Sequence, residues 1–284
     1  MANTTALITG AGSGFGWDTA FRLAERADFD VIAGVEIYAQ VWALEQEADR
    51  RGVPLRVEKL DVTDPGDRRK AVQWEVDVLL NNAGVSEGGS MVDIPAANLR
   101  RQFEVNVIGP VLLTQGIAKR MVAERRGRIV FMSSIAGMMT DPFGGAYAAS
   151  KHAVEAVADA LRQELAEFGV EVATINPGPY LTGFNDRLLE TWRSWDDDPQ
   201  LRLFDYAQLA FPHEQYEPSE VADVAVGVLT GEIGTYRNVV PAEIVGGLRE
   251  QIDSVWDRQI TEGVGERAPM VRTAYEMRPE TPAD

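Results

Sequence analysis

The sequence predicts an α/β fold in which a doubly wound parallel sheet lies between two layers of helices. Short apolar runs alternate with helical patterns along most of the 284 residues, at the spacing of strand–helix–strand units. A glycine-rich turn at residues 10–16 follows the first apolar run, and polar residues follow most later runs. Because the carboxyl ends of parallel strands meet at one sheet edge, these polar clusters should converge there. We expect one domain over residues 1–262 and a polar tail at 263–284.

Strands are predicted where a short, mainly apolar run lies between turn residues. In chain order they are 4–9, 29–35, 54–60, 76–80, 128–132, 170–175 and, at the sheet edge, 238–241. Each except the last precedes a helical pattern or a polar turn, which is the order that a parallel sheet requires.

Helices are predicted where apolar residues recur every three or four positions. They cover 17–26, 36–51, 64–75, 95–124, 146–168, 219–230 and 243–261. The longest contains Gly109-Pro110, where we expect a bend because proline lacks the backbone donor. The next carries an apolar stripe from Val154 to Phe168, and Ser219 is the expected cap of the helix that it begins.

Composition and charge exclude several classes of protein. The chain has no cysteine, which rules out disulfides and thiolate sites, and only two histidines, too few for a histidine-built metal centre. A net charge of −17 disfavours nucleic acids and anionic membranes as partners. No apolar run approaches the roughly 20 residues of a membrane span. Since the first strand begins close to Met1, with no signal peptide before it, a cytoplasmic protein is expected.

The glycine-rich turn can bind phosphate groups. Gly10, Ser13, Gly14, Phe15 and Gly16 lie between the first strand and the first helix, where backbone N–H groups can approach a pyrophosphate. The helix N-terminus adds about half a positive charge. A plain glycine turn has the same sequence, so this motif alone does not decide between the two interpretations.

Tyr147 and Lys151 are one helical turn apart, which places a phenol and an ammonium on the same helix face. A nearby positive charge favours the ionised phenol, whose ordinary pKa is about 10. Ser134 stands shortly upstream, at the end of a predicted strand. The three side chains could therefore transfer a proton to or from an alcohol, although an isolated Tyr–Lys pair is more often a surface contact.

Taken together, these segments resemble the short-chain dehydrogenase/reductase family as far as about Thr182. The resemblance implies a Rossmann fold. Asn106 matches the family's active-site asparagine, and Ser134, Tyr147 and Lys151 match its serine, tyrosine and lysine in order and spacing. Further resemblances imply cofactor contacts by Asp61, Val62, Asn82, Ala83, Gly84, Pro177, Gly178 and Thr182, beside Tyr147, Lys151 and the glycine turn.

The family mechanism, carried over to these positions, assigns each residue a role. Tyr147 is implied as general acid in reduction and general base in oxidation, with hydride on the B face of the nicotinamide. Lys151 is implied to lower the pKa of Tyr147 and to hydrogen-bond the nicotinamide ribose. Ser134 is implied to hold the substrate oxygen, and Asn106 to position a water that links Lys151 to solvent.

Glu36 bears on the choice of cofactor. It stands about 20 residues past the glycines, where a carboxylate binds ribose hydroxyls and repels a 2′-phosphate. The family's usual aspartate position corresponds to Val35, and Glu36 is one place later. Residues 9–16 contain no lysine or arginine. We therefore expect NAD rather than NADP, although a carboxylate is also favoured in the first turn of any helix.

Other regions depart from the family pattern or vary within it. The segment 63–76 is shorter than is common in the family, and the family's usual motif after the last strand is absent. Residues 183–217 fall where the family places its substrate lid, and their aromatic side chains could line a pocket for a bulky apolar or aromatic alcohol or ketone, cover the sheet edge or pack between subunits. In the family, the helices that correspond to 95–124 and 146–168 pair between subunits, so the resemblance implies a homotetramer or dimer.

The leading hypothesis is an NAD-dependent oxidoreductase that interconverts a secondary alcohol and a ketone. The alternatives on the same fold are a nucleotide-sensing binding protein without catalysis and an epimerase or lyase. Loss of one of the four catalytic residues would favour the first alternative, and all four are present.

Overall fold

Seven parallel strands form the sheet of this protein, in the order β3-β2-β1-β4-β5-β6-β7. The computed structural model describes residues 3–277, and the strand positions agree with the sequence prediction to within two residues at every end. The strands are β1 (Thr4–Thr9), β2 (Phe29–Val35), β3 (Leu55–Lys59), β4 (Val78–Asn81), β5 (Gly127–Met132), β6 (Val170–Pro177) and β7 (Arg237–Val240).

Helices cover both faces of the sheet, as the sequence predicts. They are α1 (Gly14–Ala24), α2 (Tyr38–Arg51), α3 (Pro65–Ala71), α4 (Ala96–Phe103), α5 (Gly109–Glu124), α6 (Gly145–Leu165), α7 (Phe184–Glu190), α8 (Ser219–Thr230), α9 (Val245–Ser254) and α10 (Pro269–Glu276). Within residues 3–277, no helix combines the length and the apolarity that crossing a bilayer requires.

The central strands are buried on both faces, which is typical of a sheet between two helical layers. Along β5, Val130 faces the core formed with α1, α2 and α8, whereas Ile129 and Phe131 face the core formed with α3, α5 and α6. Successive side chains of a strand point to opposite faces, so one apolar run supplies both cores. This explains why the runs read as continuous rather than alternating.

The strand order reverses between β1 and β4, so the crossovers leave in opposite directions at this point. The glycine turn follows β1, and Asn82-Ala83-Gly84 follows β4. Ser134 and Gly178 follow β5 and β6 in the same way. The polar clusters therefore converge on one edge, as the pattern predicts.

Several predicted helices require correction. The single helix 95–124 is interrupted by a π-helical turn, Glu104–Ile108, before Gly109-Pro110. Within the predicted helix 243–261, the regular α-helix ends at Ser254. Ser219 is not an N-cap, because the helix already includes it and Pro218 occupies the cap position without a side-chain hydrogen bond.

Part of the predicted polar tail packs against the rest of the chain. Ala274 on α10 is buried in a third apolar cluster with Phe143, Trp195 and Tyr206. The backbone N–H of Ala210 donates to the carbonyl of Ala274 over 2.9 Å. The first part of the tail thus packs against the 183–217 segment, because α10 presents apolar residues on one face. The rest of the predicted tail, 278–284, lies outside the described residues.

Candidate active site

A cleft of about 840 Å³ opens at the carboxyl edge of the sheet and brings together nearly all predicted site residues. Those that line it are Gly10, Ser13, Gly14, Phe15, Glu36, Asp61, Val62, Asn82, Ala83, Gly84, Ser134, Tyr147, Lys151, Pro177, Gly178 and Thr182. Gly16 and Asn106 do not line it.

The glycine turn is tied to the loop after β4. The backbone N–H groups of Asn82 and Ala83 each donate to the Thr9 hydroxyl over 3.0 Å, and the Asn82 amide donates to the carbonyls of Thr9 and Gly10 over 2.9 and 3.1 Å. A Cβ at Gly10 would lie 2.6 Å from the Cα of Ala83, and Gly10 has a φ of +63°. Only glycine allows this approach in this conformation.

Gly16 has a packing role. A Cβ at this position would lie 2.6 Å from the carbonyl oxygen of Gly10 and would also strike the Asn82 amide. The residue is buried behind the turn. Gly16 lets α1 start close to β1, and the residues before it supply the cleft surface. Its contact with a cofactor stays a prediction.

The start of α1 fits a phosphate group. Ser13 occupies the N-cap position of α1 without a side-chain cap hydrogen bond, so no side chain satisfies the first backbone N–H groups of the helix. Gly14 has a φ of +56°, and the nearest side chain to its missing Cβ is Thr182, at 3.9 Å. Backbone donors, helix dipole and open space are what a dinucleotide diphosphate needs.

Glu36 stands exposed at the end of β2, and its surroundings include a residue that the sequence analysis missed. The Gln40 side-chain oxygen accepts hydrogen bonds from the backbone N–H groups of Glu36 and Ile37 over 3.1 and 3.3 Å. Gln40 also lines the cleft, where its amide lies against Gly12. A glutamine three residues into a helix is a capping signal, and this signal could have identified it.

Asp61 and Val62 follow β3 on the other side of the glycine turn. One oxygen of Asp61 accepts from the backbone N–H and the hydroxyl of Thr63 over 2.8 and 2.7 Å. The backbone N–H of Asp61 donates to Asp67 over 2.9 Å. These bonds fix the carboxylate of Asp61 at the cleft.

The proton-transfer residues meet where β5 ends and α6 begins. Ser134 is 8% exposed, and its hydroxyl accepts from the N–H of Ala136 over 3.1 Å and lies 3.4 Å from the Pro177 carbonyl. Lys151 is 5% exposed, and its Nζ is 5.6 Å from the ring centroid of Tyr147. Helix α6 holds Tyr147 in its first turn, which directs the phenol to the same rim.

Burial shifts the pKa values of both Tyr147 and Lys151. Burial raises the pKa of Tyr147 to about 12, and a hydrogen bond with Ser134 opposes this shift. Burial lowers the pKa of Lys151 to about 8, and the negative charge of Glu155 opposes that shift. Desolvation of the phenolate outweighs the expected lowering of the Tyr147 pKa by Lys151, whose ammonium donates to the Met132 carbonyl.

Asn106 lies behind the cleft in the π-helical turn and is 3% exposed. Its side chain accepts from the N–H of Val85 over 2.8 Å and donates to the Val85 carbonyl and the Ser150 hydroxyl over 3.0 and 3.1 Å. Ser150 donates in turn to the Tyr147 carbonyl over 2.7 Å. The side chain of Asn106 thus joins the loop after β4 to the helix that carries Tyr147.

Further cleft residues come from the 183–217 segment, which the sequence analysis compares with a substrate lid. The ring of Phe184 lies 5.6 Å from the ring of Tyr147, and Arg187 lines the same cleft. A Cβ at Gly88 would lie 2.6 Å from a methyl carbon of Leu188, so α7 packs tightly on the loop after β4. These contacts join residues 37 and 100 positions apart and have no local sequence signal.

Comparisons with known proteins agree with this geometry. A family model described as short chain dehydrogenase matches residues 4–192. The uncharacterized oxidoreductase YusZ of Bacillus subtilis is 32% identical over 243 residues, covering 81% of this chain and 86% of that protein. Retinol dehydrogenase 8 of Bos taurus is 32% identical over 244 residues, covering 80% of this chain and 78% of that protein.

Two solved structures share the fold. A short chain dehydrogenase/reductase from Burkholderia phymatum in complex with NAD has a TM-score of 0.77 at 24% identity, covering 92% of this chain and 97% of its own. A short-chain dehydrogenase from Sphingobium yanoikuyae in complex with NADPH has a TM-score of 0.71 at 24% identity, covering 94% and 98%. The family model matches most of this chain, and the Bacillus subtilis and Bos taurus relatives are similar to it over 81% and 80% of its length. This chain therefore belongs to the short-chain dehydrogenase/reductase family of oxidoreductases.

Proposed function

We propose that this protein interconverts a secondary alcohol and a ketone with a nicotinamide dinucleotide. The observation that carries the proposal is that Ser134, Tyr147 and Lys151 line the same cleft as the glycine turn. Proton transfer and dinucleotide binding therefore share one site. A hydride transfer coupled to a proton transfer needs this combination.

The pKa values suit the reduction direction near neutral pH. The bound cofactor would supply the hydride. With a pKa of about 12, Tyr147 keeps its proton and can give it from Oη to the oxygen of the reduced carbonyl. With a pKa of about 8, Lys151 is mostly an ammonium at pH 7 and stabilises the phenolate that forms. The Ser134 hydroxyl, which lines the same cleft, would hydrogen-bond the substrate oxygen. In oxidation the same groups act in reverse.

NAD is the proposed cofactor, and Glu36 supports this choice. Its exposed carboxylate lines the cleft, where it can accept hydrogen bonds from ribose hydroxyls and would repel a 2′-phosphate. The glycine turn has no cationic side chain to offset that repulsion. The two structural relatives contain NAD and NADPH respectively, so their ligands do not favour either cofactor.

The proposed substrate is bulky and apolar or aromatic. The ring of Phe184, beside Tyr147, gives the cleft aromatic surface near the proton donor. One relative is named for retinol, a bulky apolar alcohol, which agrees with this substrate class. We propose residues 183–217 as the substrate lid, because α7 carries Phe184 over the cleft.

A dimer or tetramer is proposed from the apolar side chains of the long helical region. Ile108 and Leu112 are 44% and 41% exposed on successive turns there. A second copy covering them would bury this surface. Light scattering that showed only monomer across the working concentration range would contradict the proposal.

The test of the proposed activity is a substrate panel. We expect NAD to be reduced with bulky aryl or alicyclic secondary alcohols, seen as absorbance of the reduced cofactor, and the reverse reaction with the matching ketones. Small polar secondary alcohols serve as the control. Saturable binding of NAD without turnover on any alcohol or ketone would instead favour a binding protein. Absence of both NAD binding and turnover would refute the proposed active site.

A further inference from the structure

Glu155 is a buried acid on α6, one turn beyond Lys151, and the reaction as described does not use it. The residue is only 8% exposed. One carboxylate oxygen accepts from the Asn176 amide over 2.6 Å, and the other accepts from the Arg237 guanidinium over 2.7 Å. A buried carboxylate is costly unless paired, and here β6 and β7 each supply one partner.

The same network reaches the strand end that carries Ser134. The Asn176 amide nitrogen that binds Glu155 also lies 3.2 Å from the Ser134 carbonyl oxygen, and the Thr174 hydroxyl donates to the Asn176 oxygen over 2.9 Å. A Cβ at Gly137 would lie 2.9 Å from Cγ of Glu155 and 3.0 Å from the Lys151 carbonyl. The turn after Ser134 therefore rests directly on Glu155 and on the backbone of Lys151.

Three other ionisable groups face this carboxylate. Lys151 lies on its own helix, Arg237 on β7, and Tyr236 immediately before β7. The side chain of Arg237 is 41% exposed, so solvent screens its charge in part, whereas Lys151 is buried. Glu155 raises the pKa of Lys151 and so opposes the effect of burial. Its charge favours the ammonium in a place where desolvation disfavours it.

We propose that Glu155 is a positioning residue of the active site: its carboxylate braces the strand end that carries Ser134 and sets a negative charge one helical turn from Lys151. The role of Glu155 in catalysis rests on the proposed alcohol–ketone activity, but the effect of Glu155 on Lys151 can be measured without any substrate.

The substrate-free test follows the titration of Lys151 by NMR. The chain has only four lysines, at 59, 70, 119 and 151, so protein labelled with ¹³C-lysine gives few signals, and Lys151→Arg assigns the one of interest. We expect Glu155→Gln, which keeps the shape and removes the charge, to lower the pKa of Lys151 by about one unit. The control is Asp159→Asn, one turn further along α6, at a carboxylate that pairs with Arg162 at the exposed surface. An unchanged Lys151 titration in Glu155→Gln would overturn the proposal.

Arg237→Gln is a second variant, for which we expect the pKa of Lys151 to shift in the opposite direction. It removes the cation that shares Glu155, so more of the negative charge acts on Lys151, and the pKa of Lys151 should rise. Because Arg237 is partly exposed, this variant should fold even if Glu155→Gln does not. A fall or no change would contradict the proposal.

Kinetics then test the catalytic meaning. In a plot of rate against pH, ketone reduction should slow on the alkaline side as Lys151 loses its proton. This alkaline fall should move to lower pH in Glu155→Gln and to higher pH in Arg237→Gln. KM for the cofactor should change less than about twofold. Identical rate profiles despite shifted titrations would remove Glu155 from the reaction. Absence of turnover in every protein would refute the proposed function, while the titrations still decide whether Glu155 controls Lys151.

Discussion

Nζ of Lys151 lies 2.7 Å from the backbone carbonyl oxygen of Met132, the last residue of β5. Helix α6 is thereby tied to the strand that leads into Ser134, and the ammonium is held at the rim of the sheet. Because the carbonyl is uncharged, it anchors the lysine without neutralising it. The positive charge remains available to the phenol of Tyr147.

Replacement of Tyr147 by phenylalanine tests the proton donor. Phenylalanine keeps the ring that packs against Phe184 but removes Oη, so we expect kcat to fall by about 10²- to 10⁴-fold. NAD binding, followed by fluorescence titration, should stay close to wild type. Tyr38→Phe is the matched control, since Tyr38 is 76% exposed and does not line the cleft. Turnover near the wild-type rate in Tyr147→Phe would refute the assignment.

Lys151→Met should change how stability depends on pH. Burial lowers the pKa of Lys151 to about 8 from its ordinary 10.5, so between these pH values the unfolded chain binds more protons at this position than the native protein does. The contribution of Lys151 to the free energy of unfolding therefore rises with pH across this window. Below pH 8 the buried ammonium costs the fold up to about 3 kcal/mol.

Urea unfolding at several pH values measures this effect. The free energy of unfolding of Lys151→Met minus that of wild type should be most positive below pH 8 and should decrease by up to about 3 kcal/mol as the pH rises to 10.5. Loss of the bond to Met132 adds an offset that does not vary with pH. Lys119→Met, at an exposed lysine, is the control. A difference that is flat with pH would contradict the burial argument.

Two glycine-to-alanine variants separate backbone strain from close packing. Gly52 has a φ of +68° with open space around its missing Cβ, so Gly52→Ala should cost about 1–2 kcal/mol from strain alone. Gly10 has a similar φ of +63°, but its Cβ would strike the backbone of Ala83 at 2.6 Å. Gly10→Ala should therefore cost clearly more in urea unfolding and should weaken NAD binding at least tenfold. Equal costs and unchanged binding would show that the approach of the two loops does not matter.

Glu36→Ala tests the cofactor preference. Removing the carboxylate removes both the acceptor for ribose hydroxyls and the repulsion of a 2′-phosphate, so the ratio of kcat/KM for NAD over NADP should fall by about tenfold, or ~1.4 kcal/mol. Glu45→Ala is the control, because Glu45 is exposed on α2 and does not line the cleft. A ratio that stays constant, or that already favours NADP in the wild type, would contradict the choice of NAD.

The sequence predicted the layers of the fold and most of the site because both depend on local patterns. Apolar runs and helical periodicity identify strands and helices, and the parallel arrangement brings the ends of β1, β4, β5 and β6 to one rim. Ser134, Tyr147 and Lys151 are close in sequence, and a single strand–helix unit places all three. Local spacing was less informative for Gly16 and Asn106, whose sequence neighbours line the cleft while they themselves pack behind it.

Only the tertiary structure decided the electrostatics of the site. Whether Lys151 lowers the pKa of Tyr147 depends on how much water each group loses on folding, and burial of both makes desolvation the larger effect. The pairing of Glu155 with Arg237 spans 82 residues, and α10 packs on a segment far from it in sequence. The order of residue types along the chain thus determined which chemical groups are available, whereas folding determined their solvation and long-range partners, because both depend on distances that the chain order does not encode locally.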